Sequence, residues 1–380
     1  MSSSPRLHDR LAWSIRVVAA VALLATTISG CSADPTPVPA PTEAIAEDVD
    51  LAVEALNPNQ RLRAILVLEH GEFVYARYVD SGPADYWDIA SVTKSFIGTL
   101  VGIAIDLELI TDVDATLSEL LPRWESHLTA ETGAIPLSAV LTHTANFPAQ
   151  GNQGEADLWS TNDPIGAILD HRAAQGPGDG GFRYSNAGSH ILAAVVAEAS
   201  EMSVLDFARQ HLFDPLGIVT EPALEPTSPL PEETLDADMR AYYEADFAWF
   251  IDGAGVHLGS GYLKLRPSDL ARLGQLYLDR GAWEGDQLVS EEWIQHATAP
   301  QVDAGAGLVK EYGFQWWVND DNGYFSAIGA GGTVVLVHPG RDVVVVVASA
   351  LDESGARRDM RIGDALYTAE MILEEFDSTE

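Results

Sequence analysis

From Tyr324 to Ser349 the chain reads YFSAIGAGGTVVLVHPGRDVVVVVAS. Three β-rich runs, Tyr324–Gly329, Thr333–His338 and Asp342–Ser349, are separated by glycines and by Pro339-Gly340-Arg341. β-branched and aromatic side chains bounded by Gly and Pro predict three successive strands. Working outward, Arg61 to Val79 predicts two more strands joined through His70-Gly71. Helices are expected at both ends of the folded part, over Asp48–Leu56 and Ile362–Phe376. Between the strand groups, from about Ser91 to Val318, the pattern is mostly helical. Its clearest helix, Val92 to Leu107, carries apolar residues at 96, 97, 100, 101, 104 and 105, one face of a 3.6-residue period. Five strands from two ends of a chain are buried economically in one antiparallel sheet. Terminal helices then cover one face and helices of the middle block the other. The expected fold is therefore α+β, a five-stranded antiparallel sheet flanked by helices with a mainly helical subdomain inserted at about 92–318. A cleft between sheet and helical block is the natural place for a site.

The 380 residues, 47% hydrophobic and 8% aromatic, are ample for a sizeable core. A formal net charge of −36 disfavours nucleic acid or an anionic membrane surface as partner, because both are repelled. The N-terminus has its own logic. Arg6, Arg10 and Arg16 precede an apolar run from Val17 to Ile28 that is short for a membrane span and suits a secretory signal. It ends in Ile28-Ser29-Gly30-Cys31, and Cys31 is the only cysteine. Small residues before a lone cysteine resemble a lipoprotein processing site, which implies lipidation of Cys31 and export to the cell envelope with a lipid anchor as the only membrane contact. A single cysteine leaves the exported domain without an internal disulfide. Prolines at 35, 37, 39 and 41 predict an extended tether over 31–47, so the expected order is signal peptide 1–30, tether 31–47 and folded domain 48–380.

Three clusters carry chemistry. Ser91-Val92-Thr93-Lys94 sits at the start of the apolar-periodic helix, where free N–H groups and the helix dipole favour developing negative charge. Lys94, one of three lysines, lies three residues after Ser91, so both side chains share a helix face. A serine hydroxyl needs a neighbour to take its proton, and a lysine can do so when burial favours the neutral amine. Downstream of the glycine-rich loop 176–181, Tyr184-Ser185-Asn186 offers a phenol for proton relay and an amide for substrate contact. The third, Ala327-Ile328-Gly329-Ala330-Gly331-Gly332, ends a predicted strand where a carbonyl could approach backbone N–H groups. Each alone has an ordinary structural explanation: an N-cap, a packed turn, a tight β-turn.

In order and spacing, the three clusters resemble the serine β-lactamase, DD-peptidase and esterase superfamily over most of 55–375. Ser91-x-x-Lys94 matches its first motif and Tyr184-x-Asn186 its second. The resemblance implies Ser91 as acylated nucleophile, Lys94 and Tyr184 as proton shuttles, and Asn186 and Gly329 as substrate contacts. Val140-Leu141-Thr142-His143-Thr144, Asp269–Gly274 and Tyr312–Trp317 also look like the family, and a structural role for His143 is implied. Where β-lactamases and peptidases commonly carry Lys-Thr-Gly, this chain reads Ala327-Ile328-Gly329. The Gly-x-Gly-Gly pattern resembles the aminohexanoate-oligomer hydrolase and carboxylesterase branch, which implies the N–H groups of Ser91 and Ala330 as oxyanion donors. The expectation is a serine hydrolase of small-molecule esters or amides that needs neither metal nor cofactor. Its rivals are a DD-peptidase, penicillin-binding protein or β-lactamase, and a non-catalytic envelope binding protein. An α/β-hydrolase is disfavoured, since no Gly-x-Ser-x-Gly occurs.

Overall fold

The computed structural model describes residues 49–50, 53, 61–149, 158–228, 235–351 and 361–377. Cys31, the expected signal peptide and the proline-rich tether lie outside the described residues, as does most of the helix expected over 48–56.

Eight strands, not five, make the main sheet. They are β1 (Leu62–Glu69), β2 (Glu72–Tyr78), β3 (Val302–Asp303), β4 (Glu311–Tyr312), β5 (Trp317–Asn319), β6 (Tyr324–Gly329), β7 (Thr333–His338) and β8 (Val343–Ser349). Their order is β3-β4-β5-β6-β7-β8-β1-β2, with every neighbour pair antiparallel. The five expected strands form the contiguous run from β6 to β2. The three extra strands are only two or three residues long and lie within the stretch expected to be helical. Runs that short show no period, so pairing with β6 and with each other defines them.

Strands β6, β7 and β8 are buried on both faces almost throughout. An antiparallel sheet usually leaves one face wet; here helices cover both. Ile65, Val67, Leu336, Val343, Val345 and Val347 face Leu366, Ala369 and Ile372 of the C-terminal helix, and Val49 and Val53 join that cluster. The opposite residues, Leu66, Leu68, Val335, Val337, Val344 and Val346, belong to the larger core with the helical block.

Within that block, α1 (Thr93–Asp106), α2 (Asn186–Ser200), α3 (Leu235–Glu244) and α4 (Pro267–Leu278) matter for the site; α5 (Ile362–Glu374) is the C-terminal helix. α1 is one residue shorter at each end than the predicted helix, and Ala90–Val92 is a separate 3₁₀ turn that feeds into it. Twelve of its fourteen residues are buried, polar Lys94, Ser95 and Thr99 included. A two-residue ribbon, Trp87–Asp88 against Lys264–Leu265, ties the chain before that turn to the chain before α4.

Candidate active site

Ser91 occupies the middle of the 3₁₀ turn, which packs against β6 and β7. Ala90, just before it, has a φ of +47°, a conformation that costs a non-glycine residue about 1–2 kcal/mol. Two backbone anchors hold the chain there: Asp88 Oδ1 accepts from the Ala90 N–H at 2.7 Å, and the Ile89 N–H donates to Leu263 O at 2.9 Å. Burial pushes the Asp88 carboxyl up to about 6, against the hydrogen bond from Ala90 and the nearby Lys264 charge.

Lys94 is 1% exposed, and its ammonium nitrogen is surrounded by oxygen. Nζ donates to Ser91 Oγ at 3.0 Å, to Asn186 Oδ1 at 2.8 Å and to the Ser260 carbonyl at 2.9 Å. It also stands 4.9 Å from the centre of the Tyr184 ring. Burial raises the Tyr184 phenol well above its usual range, and a hydrogen bond with Ser91 pulls the other way. Ser91, Lys94, Tyr184 and Asn186, separated by up to 95 residues in sequence, therefore meet at one point. Ser185 makes the second motif turn sharply: its hydroxyl accepts from the Gly188 N–H at 3.0 Å and donates to Pro148 O at 2.6 Å. That N-cap starts α2 at Asn186 and aims its amide at Lys94.

The β6–β7 turn closes the other side. A Cβ on Gly329 would stand 2.6 Å from Ile89 O, so only glycine lets β6 run this close to the nucleophile turn. The next residue, Ala330, is exposed, and its N–H makes no hydrogen bond within the described residues. Gly331 and Gly332, with φ of +80° and +90°, complete a turn closed by the Gly332 N–H on Gly329 O at 3.3 Å. Ala327 is 1% exposed; no cation occupies the position where the resemblance sets a lysine.

Behind Tyr184 lies an aromatic group. Trp317 stacks on it with centres 5.6 Å apart, Tyr312 meets it edge-on, and His143 lies 4.8 Å away. His143 Nε2 faces Tyr312 Oη at 3.3 Å, and burial, helped by the Lys94 charge, holds its imidazole well below the usual range. His143 packs against the Tyr184 ring and, among the described residues, makes no hydrogen bond to Ser91 or Lys94. Gln315 bonds Leu141 O and Ser189 Oγ, and Asp269 is clamped by Arg266 and Arg272, so the other two accessory stretches are framework. The sequence reading missed Ser260, whose contribution is a backbone carbonyl and leaves no side-chain signature. Among the described residues no group of three or more His, Cys, Asp or Glu is placed to hold a metal ion.

A nucleophile-ready serine bonded to a buried lysine, with a tyrosine and an asparagine converging on both, can support acyl transfer. Known proteins agree. Residues 60–369 match the Beta-lactamase family. A 6-aminohexanoate-dimer hydrolase from Paenarthrobacter ureafaciens is 26% identical over 83% of this chain and 81% of its own. A penicillin-binding protein from Bacillus subtilis is 25% identical over 66% of this chain and 56% of its own. Among solved structures, a penicillin-binding protein homologue from Caulobacter crescentus superposes with a TM-score of 0.63 at 16% identity, covering 87% of this chain and 98% of that one. The fold, the family match and these relatives together identify the chain as a serine hydrolase of the Beta-lactamase family.

Proposed function

We propose that the protein hydrolyses ester or amide bonds through an acyl-enzyme on Ser91. Lys94 is the base, Tyr184 the proton relay and the N–H groups of Ser91 and Ala330 the oxyanion donors. One observation carries this reading: the three oxygens around Lys94 Nζ differ in kind. Asn186 Oδ1 and the Ser260 carbonyl can only accept, whereas the Ser91 hydroxyl can either accept or donate. A neutral Lys94 amine keeps its two N–H bonds to the fixed acceptors and turns its lone pair to Ser91. Proton transfer then needs no rearrangement. Ser91 attacks the carbonyl, its proton passes to Lys94, and the oxyanion collapses as the leaving group takes a proton through Tyr184. Water attacks the acyl-enzyme by the reverse route.

The raised Tyr184 phenol favours this division of labour. A phenolate there is costly, so Tyr184 serves better as a proton donor than as the first base. The substrate is a neutral ester or amide. A β-lactam or peptide carboxylate would lack the charged contact that a lysine at the Ala327 position provides, worth about 1.5–3 kcal/mol or roughly ten- to over a hundredfold in affinity. Export, cleavage before Cys31 and lipid anchoring through Cys31, with 31–47 as the tether to the enzyme, complete the proposal; labelled palmitate should enter the wild-type chain and not Cys31→Ala.

Steady-state hydrolysis of p-nitrophenyl butyrate tests the assignment. Ser91→Ala should retain less than about a thousandth of the wild-type kcat. A rate near wild type would end the acyl-enzyme reading.

A further inference from the structure

Away from the reacting atoms, α2 carries a buried histidine on the face of Asn186. His190, one turn on, has a fully buried side chain, and so does its partner Asp252. His190 Nε2 lies 3.1 Å from Asp252 Oδ2, and the Gly259 N–H donates to His190 Nδ1 at 3.3 Å. The next residue in the chain is Ser260, whose carbonyl holds Lys94. We propose that His190, oriented by Asp252, is a positioning residue that fixes the Ser260 carbonyl and so directs the Lys94 lone pair at Ser91. This rests on the reading of Lys94 as base.

The bonds define the tautomer. An N–H donated to Nδ1 leaves that nitrogen bare, so the ring proton is on Nε2 and is given to Asp252. Asp252 is a carboxylate suited to receive it. Burial pushes its carboxyl up, but hydrogen bonds from His190 and from the Val256 and Ala254 N–H groups hold it below its ordinary value. Asp252 Oδ1 takes those two N–H bonds at 2.8 and 2.9 Å, which locks the turn from which residues 256–260 return to the site. On the remaining side of the imidazole, the Trp159 ring lies 5.2 Å from it.

Gly259 shows how tightly this segment is pressed to α2. A Cβ there would meet Ser189 O at 2.3 Å and Ala193 Cβ at 2.9 Å. Close approach alone sets the distance between this segment and the helix. The His190 bond sets the rotation of the peptide planes, and thereby where the Ser260 carbonyl points. Asn186 and His190 thus supply the two fixed acceptors of Lys94 from one helix face, the first directly and the second through one peptide unit.

Two near-isosteric variants separate the bonds. In His190→Asn the amide oxygen can take the place of Nδ1 and keep Gly259, but the side chain is too short for Asp252. In His190→Gln the amide nitrogen can keep Asp252 while Gly259 loses its acceptor. Rates are normalised to the p-nitrophenol burst, so only folded, acylated sites are counted. His190→Asn should keep kcat within about threefold and leave the pH profile unmoved. His190→Gln should lose about tenfold or more in kcat at nearly constant KM. Its acid limb of kcat/KM should move to lower pH, because the charged ammonium loses more than the neutral amine when an acceptor goes. Equal kcat per site in both variants with an unmoved profile, or the reverse order, would overturn the proposal. If His190→Gln yields no folded protein, His190→Asn decides alone, since a large loss of kcat per site in it contradicts the proposal. Full turnover in Lys94→Met would instead remove the underlying assignment, whatever the His190 variants do.

Discussion

Lys94 and Lys264 are both buried, at 1% and 3% exposure, and each ammonium is ringed by oxygens and set against a tyrosine. Lys264 donates to the carbonyls of Tyr242 and Tyr243, at 3.0 and 2.9 Å, and to that of Ala245. These are carbonyls of the last turn of α3 and the residue beyond it, where helix ends leave acceptors unsatisfied and a cation complements the dipole. All three are obligate acceptors. Each of them can be satisfied only by an N–H from Lys264. Lys94 has two obligate acceptors and one hydroxyl. A hydroxyl at Lys94 where Lys264 meets a carbonyl, together with the Asp88 carboxylate near Lys264, separates a lysine that can pass a proton from one that caps a helix, which burial alone would not reveal.

The comparison can be broken outright by exchanging activity for stability. Lys94→Met should lower kcat/KM on p-nitrophenyl butyrate by about a thousandfold or more, with a smaller loss of stability than Lys264→Met, because it strands two obligate acceptors rather than three. Lys264→Met should do the opposite. Orphaned helix carbonyls should cost about 3 kcal/mol in denaturant unfolding, while kcat/KM per burst-titrated site stays within about threefold. Comparable activity losses in the two variants would erase the distinction. Asn186→Ala sharpens it by removing one obligate acceptor from Lys94; the expected loss in kcat is about ten- to a hundredfold, with KM less affected.

A smaller effect concerns the wall behind Tyr184. Folded His143 binds a proton only well below 6.5, because of burial and the Lys94 charge, whereas the unfolded chain takes it up near 6.5. Below that pH the unfolded state holds more protons, so stability falls as pH drops, by up to about 1.4 kcal/mol per unit from this residue. Its φ of +56° suits asparagine. Thermal melts of wild type and His143→Asn at pH 7 and 5 should show the larger acid loss in wild type. Parallel losses would detach His143 from the electrostatics of the site.

How much of this the chain disclosed beforehand divides along physical lines. β6 and β7 were legible to the residue because glycines and Pro339 bracket dense β-branched runs. β8 was off only at Asp342, which bends into a left-handed conformation at φ +57°. β3, β4 and β5 were not legible, being too short for periodicity and stabilised by neighbours distant in sequence. Ser91, Lys94, Tyr184 and Asn186 were legible as motifs because side-chain chemistry leaves letters behind. The Ser260 carbonyl and the Gly259 bond to His190 were hidden, since any residue carries a carbonyl and its aim follows from tertiary packing. Asp88 was overlooked for a similar reason. Its work is on the Ala90 backbone, whose left-handed conformation no alanine advertises.

Covalent labelling addresses the central claim at the atom concerned. After reaction with a fluorophosphonate, peptide mass mapping should find the adduct on Ser91, formed rapidly in wild type and His190→Asn and barely at all in Lys94→Met. An adduct on another residue, or equal labelling rates with and without Lys94, would contradict the assignment of Ser91 and its lysine base.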